Sequence, residues 1–317
     1  MFTFILYTVI GAALVLVGAD KLTDGAVGLA SRFGISEMVI GLTIVAFGTS
    51  LPEFIVSLLA CISNDSAATA LSASNIVGSN LFNVMVIAGM SAVVSPIAIT
   101  KATVRKDIPL SILASVILSA IALDMWVSGG EANILTRGDG IVLLGFFIIF
   151  LAYSFGLARQ KEAVGTTHQM SALRIALFIV LGLCALIGGG ELFVRGACGI
   201  ARSAGVSEAV IGLTLVAGGT SLPELATSIV AARKGQSALA IGNVVGSNIF
   251  NIFFILGTCA TVKALAVTGL TAVDFAVLTL SGLLFWLFSR SSYKLSRWEG
   301  GVMMLAYALY VSWLIVM

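Results

Sequence analysis

The sequence predicts an all-α integral membrane protein, with ten transmembrane helices arranged as two inverted five-helix repeats. Three observations carry this. Of 317 residues, 59% are hydrophobic and only 10% charged, with a mean hydropathy of +1.11, far outside the range of a soluble globular domain. Ten apolar runs approach the ~20 residues needed to cross a bilayer, starting near residues 3, 37, 67, 106, 138, 171, 208, 237, 270 and 297. The stretch Gly41 to Glu53, GLTIVAFGTSLPE, returns 171 residues later as Gly212 to Glu224, GLTLVAGGTSLPE.

The first run has no basic segment before it and no small-residue cleavage site, so it reads as a retained span rather than a signal peptide. Near the ends of spans one and six, Gly25-Ala26 and Gly28 match Gly196-Ala197 and Gly199. Spans two and seven carry the longest match, Ser36 to Ser57 against Ser207 to Ser228. Spans three and eight share a second block, NIVGSNLFN at Asn75 to Asn83 and NVVGSNIFN at Asn243 to Asn251. Spans four, five, nine and ten rest on hydrophobicity alone. The division is 1–159 for the first repeat, 160–170 for a polar linker containing Gly165 and His168, and 171–317 for the second. Five is odd, so the second copy enters from the opposite side, which sets the shared motifs facing each other near the midplane.

Lys and Arg fix the orientation. Counted from an outside N-terminus, the inner loops hold twelve: Arg32, Lys101, Arg105, Lys106, Arg159, Lys161, Arg174, Arg233, Lys234, Arg290, Lys294 and Arg297. The outer loops hold three: Arg137, Arg202 and Lys263. Both termini are therefore expected outside. Cys61, Cys184, Cys198 and Cys259 lack metal-ligand spacing and read as small hydrophobes. The single histidine lies in the linker, which speaks against a His-based metal site or a Ser-His triad. No cofactor, nucleic acid or obligatory protein partner is expected; the bilayer is the surrounding phase.

Polar residues inside apolar spans are costly and mark sites. Two of the four prolines, Pro52 and Pro223, occupy equivalent positions in spans two and seven. Lacking an N–H, each deprives the carbonyl of Gly48 or Gly219 of its helical partner, and the carbonyls of Ala46 and Ala217, nearby, are expected to tilt away as well. Such oxygens at membrane depth must line a polar cavity and suit hard cations. Residues four apart share a helix face, pairing Thr49 with Glu53, Thr220 with Glu224, Ser79 with Asn83 and Ser247 with Asn251. The result is a cage of oxygens with two carboxylates, enough to neutralise one divalent ion. Ca2+ accepts six to eight oxygens in flexible geometry, whereas Mg2+ demands a tight octahedron. The same oxygens in smaller groups suit Na+, and the carboxylates can take H+. Competition for one ligand set favours exchange over co-transport. Asn75 and Asn243 serve equally well as helix contacts or as supports of the site. Asp20 and Glu191, expected near helix ends beside Lys21 and Arg195, read as anchors or salt bridges.

Two copies of GTSLPE, each followed by GSN-x-FN, resemble the alpha repeats of the calcium/cation antiporter superfamily, the prokaryotic Na+/Ca2+ exchangers in particular. The resemblance implies a Ca2+ site of Glu53 and Glu224 with carbonyl or hydroxyl oxygens of Thr49 and Thr220. It implies Na+ sites that share these glutamates and add Ser50, Ser79, Asn83, Ser221, Ser247, Asn251 and the backbone at Ala46 and Ala217. It also implies that spans one and six slide as a pair against the other eight, in a prokaryotic inner (plasma) membrane. Where several exchangers of the superfamily have an aspartate, this chain has Asn251. Exchange coupled to H+, or of another divalent cation, stays open as the alternative. An ion channel is more remote, because a pore usually surrounds an oligomer axis. A hydrolase using Ser50 or Ser221 lacks an activating base at useful spacing.

Overall fold

The computed structural model describes residues 1–63, 66–123, 132–158, 170–205 and 217–316. The predicted linker at 160–169 and the start of the seventh span near 208 lie outside the described residues. What is described is helical apart from two short strand pairs. Helix α1 spans Phe2–Phe33 and α7 spans Ala172–Ser203. Between them lie α2 (Glu37–Thr49), α3 (Leu51–Ile62), α4 (residues 66–94), α5 (Ile108–Ala122) and α6 (Arg137–Ala158). After α7 come α8 (Ala217–Gly219), α9 (Leu222–Arg233), α10 (Ser237–Val262), α11 (Ala272–Ser292) and α12 (Arg297–Val316).

Among the described residues, seven helices are long and apolar enough to cross a membrane, and the bent pair α2 and α3 would be an eighth. The span predicted near 106 is the shorter α5, preceded by a widened turn at Thr103–Asp107. Helix ends follow local chemistry. Gly34 closes α1 in the left-handed conformation, φ 63°, which glycine adopts without steric penalty. Ser171 caps α7 by accepting from the Arg174 amide at 3.3 Å. Thr271 and Asp274 form a reciprocal capping box at the start of α11.

The two 32-residue helices α1 and α7 lie antiparallel, Phe4 against Gly196, Gly11 against Gly189 and Gly18 against Gly182. Nothing larger than hydrogen fits between them. A Cβ on Gly18 would stand 2.8 Å from the Gly182 carbonyl, and one on Gly182 would stand 2.8 Å from the Leu22 amide. Small residues at such spacing let helix backbones touch, a principal source of cohesion where water supplies none. In the apolar window of each, only 22% of residues are buried, against 72% for α4 and 94% for α10. The centre of the molecule is therefore α4 and α10, with the α1–α7 pair at its flank.

Strand β1 (Ile97–Ala98) pairs with β4 (Lys294–Leu295), and β2 (Ile134–Leu135) with β3 (Leu265–Ala266). The first pair sits at the end that holds the Arg32 bond to the Met170 carbonyl and the Ser237 contact with Ala98. The second sits at the opposite end, where Lys263 reaches the Ser63 carbonyl at 3.0 Å and Arg137 the Val262 carbonyl at 3.2 Å. Both ion pairs foreseen for Asp20 and Glu191 are present, to Lys21 and Arg195, but both acids lie well inside long helices rather than near their ends. Asp20 has a further partner. Lys234, just beyond α9, stands 2.6 Å from both Asp20 and Asp24 of α1. Burial works against its charge, but these carboxylates outweigh that and raise its pKa above the ordinary lysine value.

Candidate ion-binding site

The break foreseen at Pro52 is a change of helix rather than a kink in a continuous one. Helix α2 ends at Thr49, Ser50 leaves helical geometry at φ −82° and ψ 6°, and α3 starts with Pro52 in its first turn, 48° away. The second copy repeats this around Ser221, φ −89° and ψ 8°, with Pro223 in the first turn of α9. Proline is well placed there, because first-turn amides have no helical acceptor. Glu53 and Glu224 each fall in a first turn, where the positive end of the helix dipole favours a carboxylate. The carbonyls ending the preceding helix form the opposite, negative end of that helix's dipole.

Both glutamates are 1% exposed, and each is held by the serine of the other repeat. Ser221 Oγ donates to Glu53 Oε1 at 2.9 Å, and Ser50 Oγ donates to Glu224 Oε1 at 2.8 Å. Ser79 Oγ lies 3.3 Å from Ser221 Oγ. Thr49 Oγ1 donates to the Val45 carbonyl at 3.0 Å and lies 3.2 Å from Asn243 Oδ1. Asn243 in turn donates to Ser228 Oγ at 3.0 Å and to the Glu224 carbonyl at 3.4 Å, so it supports the second copy. Its counterpart Asn75 has a buried Nδ2 with no protein partner.

Six oxygens of the predicted set are buried without a hydrogen-bond partner: Glu53 Oε2, Glu224 Oε2, Asn83 Oδ1, Asn251 Oδ1, Thr220 Oγ1 and Ser247 Oγ. An unmade buried bond costs about 1–3 kcal/mol, more for a charged group. All six are electron-pair donors, a chemistry that a desolvated hard cation satisfies. Among the described residues no group of three or more His, Cys, Asp and Glu forms a metal cluster. The site's ligand character is thus two carboxylates among neutral oxygens.

Two expectations change. The Ala46 carbonyl does not tilt away: it accepts the Ser50 amide at 3.0 Å, because α2 keeps its bonds up to Thr49. The side chain of Ala217 is outside the described set, so only its backbone position at the start of α8 is placed. The sequence reading missed two features. Asn83 opens a widened helical turn, Asn83–Ala88, and Asn251 lies in another, Phe250–Leu256; such π-type turns gather at functional sites. Asn80 and Asn248, the asparagines inside both GSN triplets, lie fully buried between Asn83 and Asn251. Their duplication was a visible signal.

Helices this apolar, enclosing two carboxylates in a ring of neutral oxygens, define a membrane carrier of hard cations. The chain belongs to the sodium/calcium exchanger protein family, whose model matches residues 3–156 and 174–316. It is 37% identical to inner membrane protein YrbG of Escherichia coli, over 87% of this chain and 86% of that one. It is 30% identical to sodium/calcium exchanger MaX1 of Methanosarcina acetivorans, over 98% and 97%. The solved structure of the sodium-calcium exchanger NCX_Mj soaked with Na+ and Sr2+ superposes with a TM-score of 0.84 at 33% identity, covering 98% of each chain.

Proposed function

We propose that this protein is a secondary active antiporter that exchanges Na+ for Ca2+ by alternating access, at a single site in which the two ions compete for Glu53 and Glu224. The observation that carries the reading is the set of six unpartnered buried oxygens, two of them carboxylate. Ca2+ would take both glutamates with oxygens of Thr49 and Thr220. Na+ ions would share the glutamates and use Ser50, Ser79, Asn83, Ser221, Ser247, Asn251 and backbone oxygens at Ala46 and Ala217. The Ala46 carbonyl already accepts the Ser50 amide at 3.0 Å and lies 3.4 Å from Thr49 Oγ1, so it would have to exchange the weaker threonine contact for an ion. Two unpaired carboxylates at membrane depth are strongly unfavourable, an intramembrane charge costing at least ~2.5–3.5 kcal/mol. The carrier therefore crosses when cations compensate them and stalls when they do not, which makes the flux an exchange.

Ten spans in two inverted repeats support that cycle. The antiparallel α1 and α7, and the reciprocal bonds of Ser50 with Glu224 and Ser221 with Glu53, are what an inverted duplication produces. The α1–α7 pair, bound tightly to itself and lightly buried, is the moving element, and the α4–α10 centre is the frame. With both termini outside, the Arg32 and Lys234 end faces the cytoplasm of a prokaryotic cell.

Radiolabelled Ca2+ uptake into proteoliposomes loaded with Na+, repeated with an outward H+ gradient and no Na+, tests the assignment. Uptake is expected with Na+ only. Uptake driven by H+ alone would replace Na+ coupling with the proton-coupled reading, and downhill flux without a counter-ion would indicate a channel.

A further inference from the structure

We propose that Asn80 and Asn248 are positioning residues that fix the polarity of the ion site, turning the amides of Asn83 and Asn251 so that oxygen rather than nitrogen faces the ions. This rests on the reading above, in which those two oxygens are ligands. Asn80 and Asn248 are 0% and 1% exposed and brace one another across α4 and α10. Asn80 Nδ2 donates to the Asn248 carbonyl at 3.2 Å, and Asn248 Nδ2 donates to the Asn80 carbonyl at 3.4 Å. With both nitrogens committed to backbone, both side-chain oxygens are committed as acceptors. Asn248 Oδ1 accepts from Asn83 Nδ2 at 3.0 Å, and Asn80 Oδ1 accepts from Asn251 Nδ2 at 2.9 Å. In the reverse orientation each amide would set oxygen against oxygen.

The consequence is electrostatic. An amide has a donor end and an acceptor end, and rotation by half a turn exchanges them with little change of shape. Asn83 and Asn251, their nitrogens held by the brace, direct Oδ1 away from it, and those are two of the six unpartnered oxygens. Released, either amide could present NH2 and repel a cation from the place where it now attracts one. Each orienting residue belongs to the opposite half from the ligand it orients, so the site's polarity is set only across the repeat interface.

A double-mutant cycle on the full-length protein tests this, reading half-saturating Na+ and Ca2+ in reconstituted exchange alongside thermal melting. Asn83→Ala is expected to weaken apparent Na+ affinity about tenfold, and Asn248→Ala by a similar factor, as loss of an orienting partner does at metal sites, with Ca2+ affinity changing less. The double variant should be no weaker than Asn83→Ala. A multiplied loss, or Asn248→Ala that lowers the melting temperature with ion affinity unchanged, would reduce Asn248 to a packing role and overturn the proposal. An Asn83→Ala variant with ordinary affinity would instead remove Asn83 from the site reading. The mirror cycle, Asn80→Ala with Asn251→Ala, applies the same criteria should Asn248→Ala fail to fold.

Discussion

Glu53→Gln is the sharpest probe of the site. In the proposed site the two carboxylates balance a divalent ion, so the variant would leave one positive charge uncompensated where Glu53 is 1% exposed. At ~2.5–3.5 kcal/mol for an intramembrane charge and 1.4 kcal/mol per factor of ten, Ca2+ binding should weaken about 60- to 300-fold. The geometry adds to this. Ser221 can still donate to Oε1 of the glutamine as it does to Glu53 Oε1 at 2.9 Å, which leaves the amide nitrogen where the unpartnered Oε2 now stands. A donor then faces the cation. Without ions the sign reverses: a buried charge has been removed, so the variant should melt no lower than the parent in chelator, while the Ca2+-induced rise in melting temperature disappears. Glu224→Gln, held by Ser50 at 2.8 Å, should behave alike. Calorimetric Ca2+ titration and thermal scans measure both effects. Ca2+ affinity within a factor of three of the parent in both variants would refute the assignment.

Pro52→Ala should reduce transport by about threefold at most, far less than Glu53→Gln, because a first-turn residue of α3 has no helical amide bond to regain; flux as low as that of Glu53→Gln would contradict this. Lys234→Met should release α1 from its bonds to Asp20 and Asp24. Partly exposed pairs of this kind are worth on the order of 1 kcal/mol together, so the equilibrium between the two access states should shift about fivefold. Thiol-accessibility rates for cysteines introduced along α1 report it, and unchanged rates would dismiss Lys234 as a conformational tie.

Much of this molecule was legible because it was written twice. Glu53 with Glu224, Pro52 with Pro223 and Ser79 with Ser247 stand out by repetition, and polar atoms in apolar spans have few bland explanations. Hydrogen bonds bring Ser221 to Glu53 and Ser79, Ser50 to Glu224 and Thr49 to Asn243, and bring Asn83 and Asn251 to the Asn248–Asn80 pair. Partnership was not legible. Spacing placed Thr49 with Glu53 on one face, yet the hydrogen-bond partner that holds Glu53 is Ser221, 168 residues away. Asn80 and Asn248 sat in plain view within the GSN triplets, but an amide's role depends on which end its neighbour holds. The glycine contacts of α1 and α7 were half visible, since the repeat matched Gly25 with Gly196 and Gly28 with Gly199, whereas Gly11, Gly18, Gly182 and Gly189 show their purpose only when the helices are laid antiparallel. The Lys234 bonds join a loop to the middle of a distant helix, a relation that no local pattern encodes.

The cross-half bonds of Ser50, Asn80, Ser221 and Asn248 bear on biosynthesis. Ribosomes add roughly 5–20 residues per second, and the matching glutamates lie 171 positions apart. For about 10–35 s after Glu53 is polymerised, the nascent chain carries an acidic, amide-rich stripe whose stabilising hydroxyls and carbonyls have not yet been made. Stable insertion of the first half must therefore wait on the second, or be sheltered by the insertion machinery. A gene divided between the halves should yield two unstable polypeptides that protect each other when produced together.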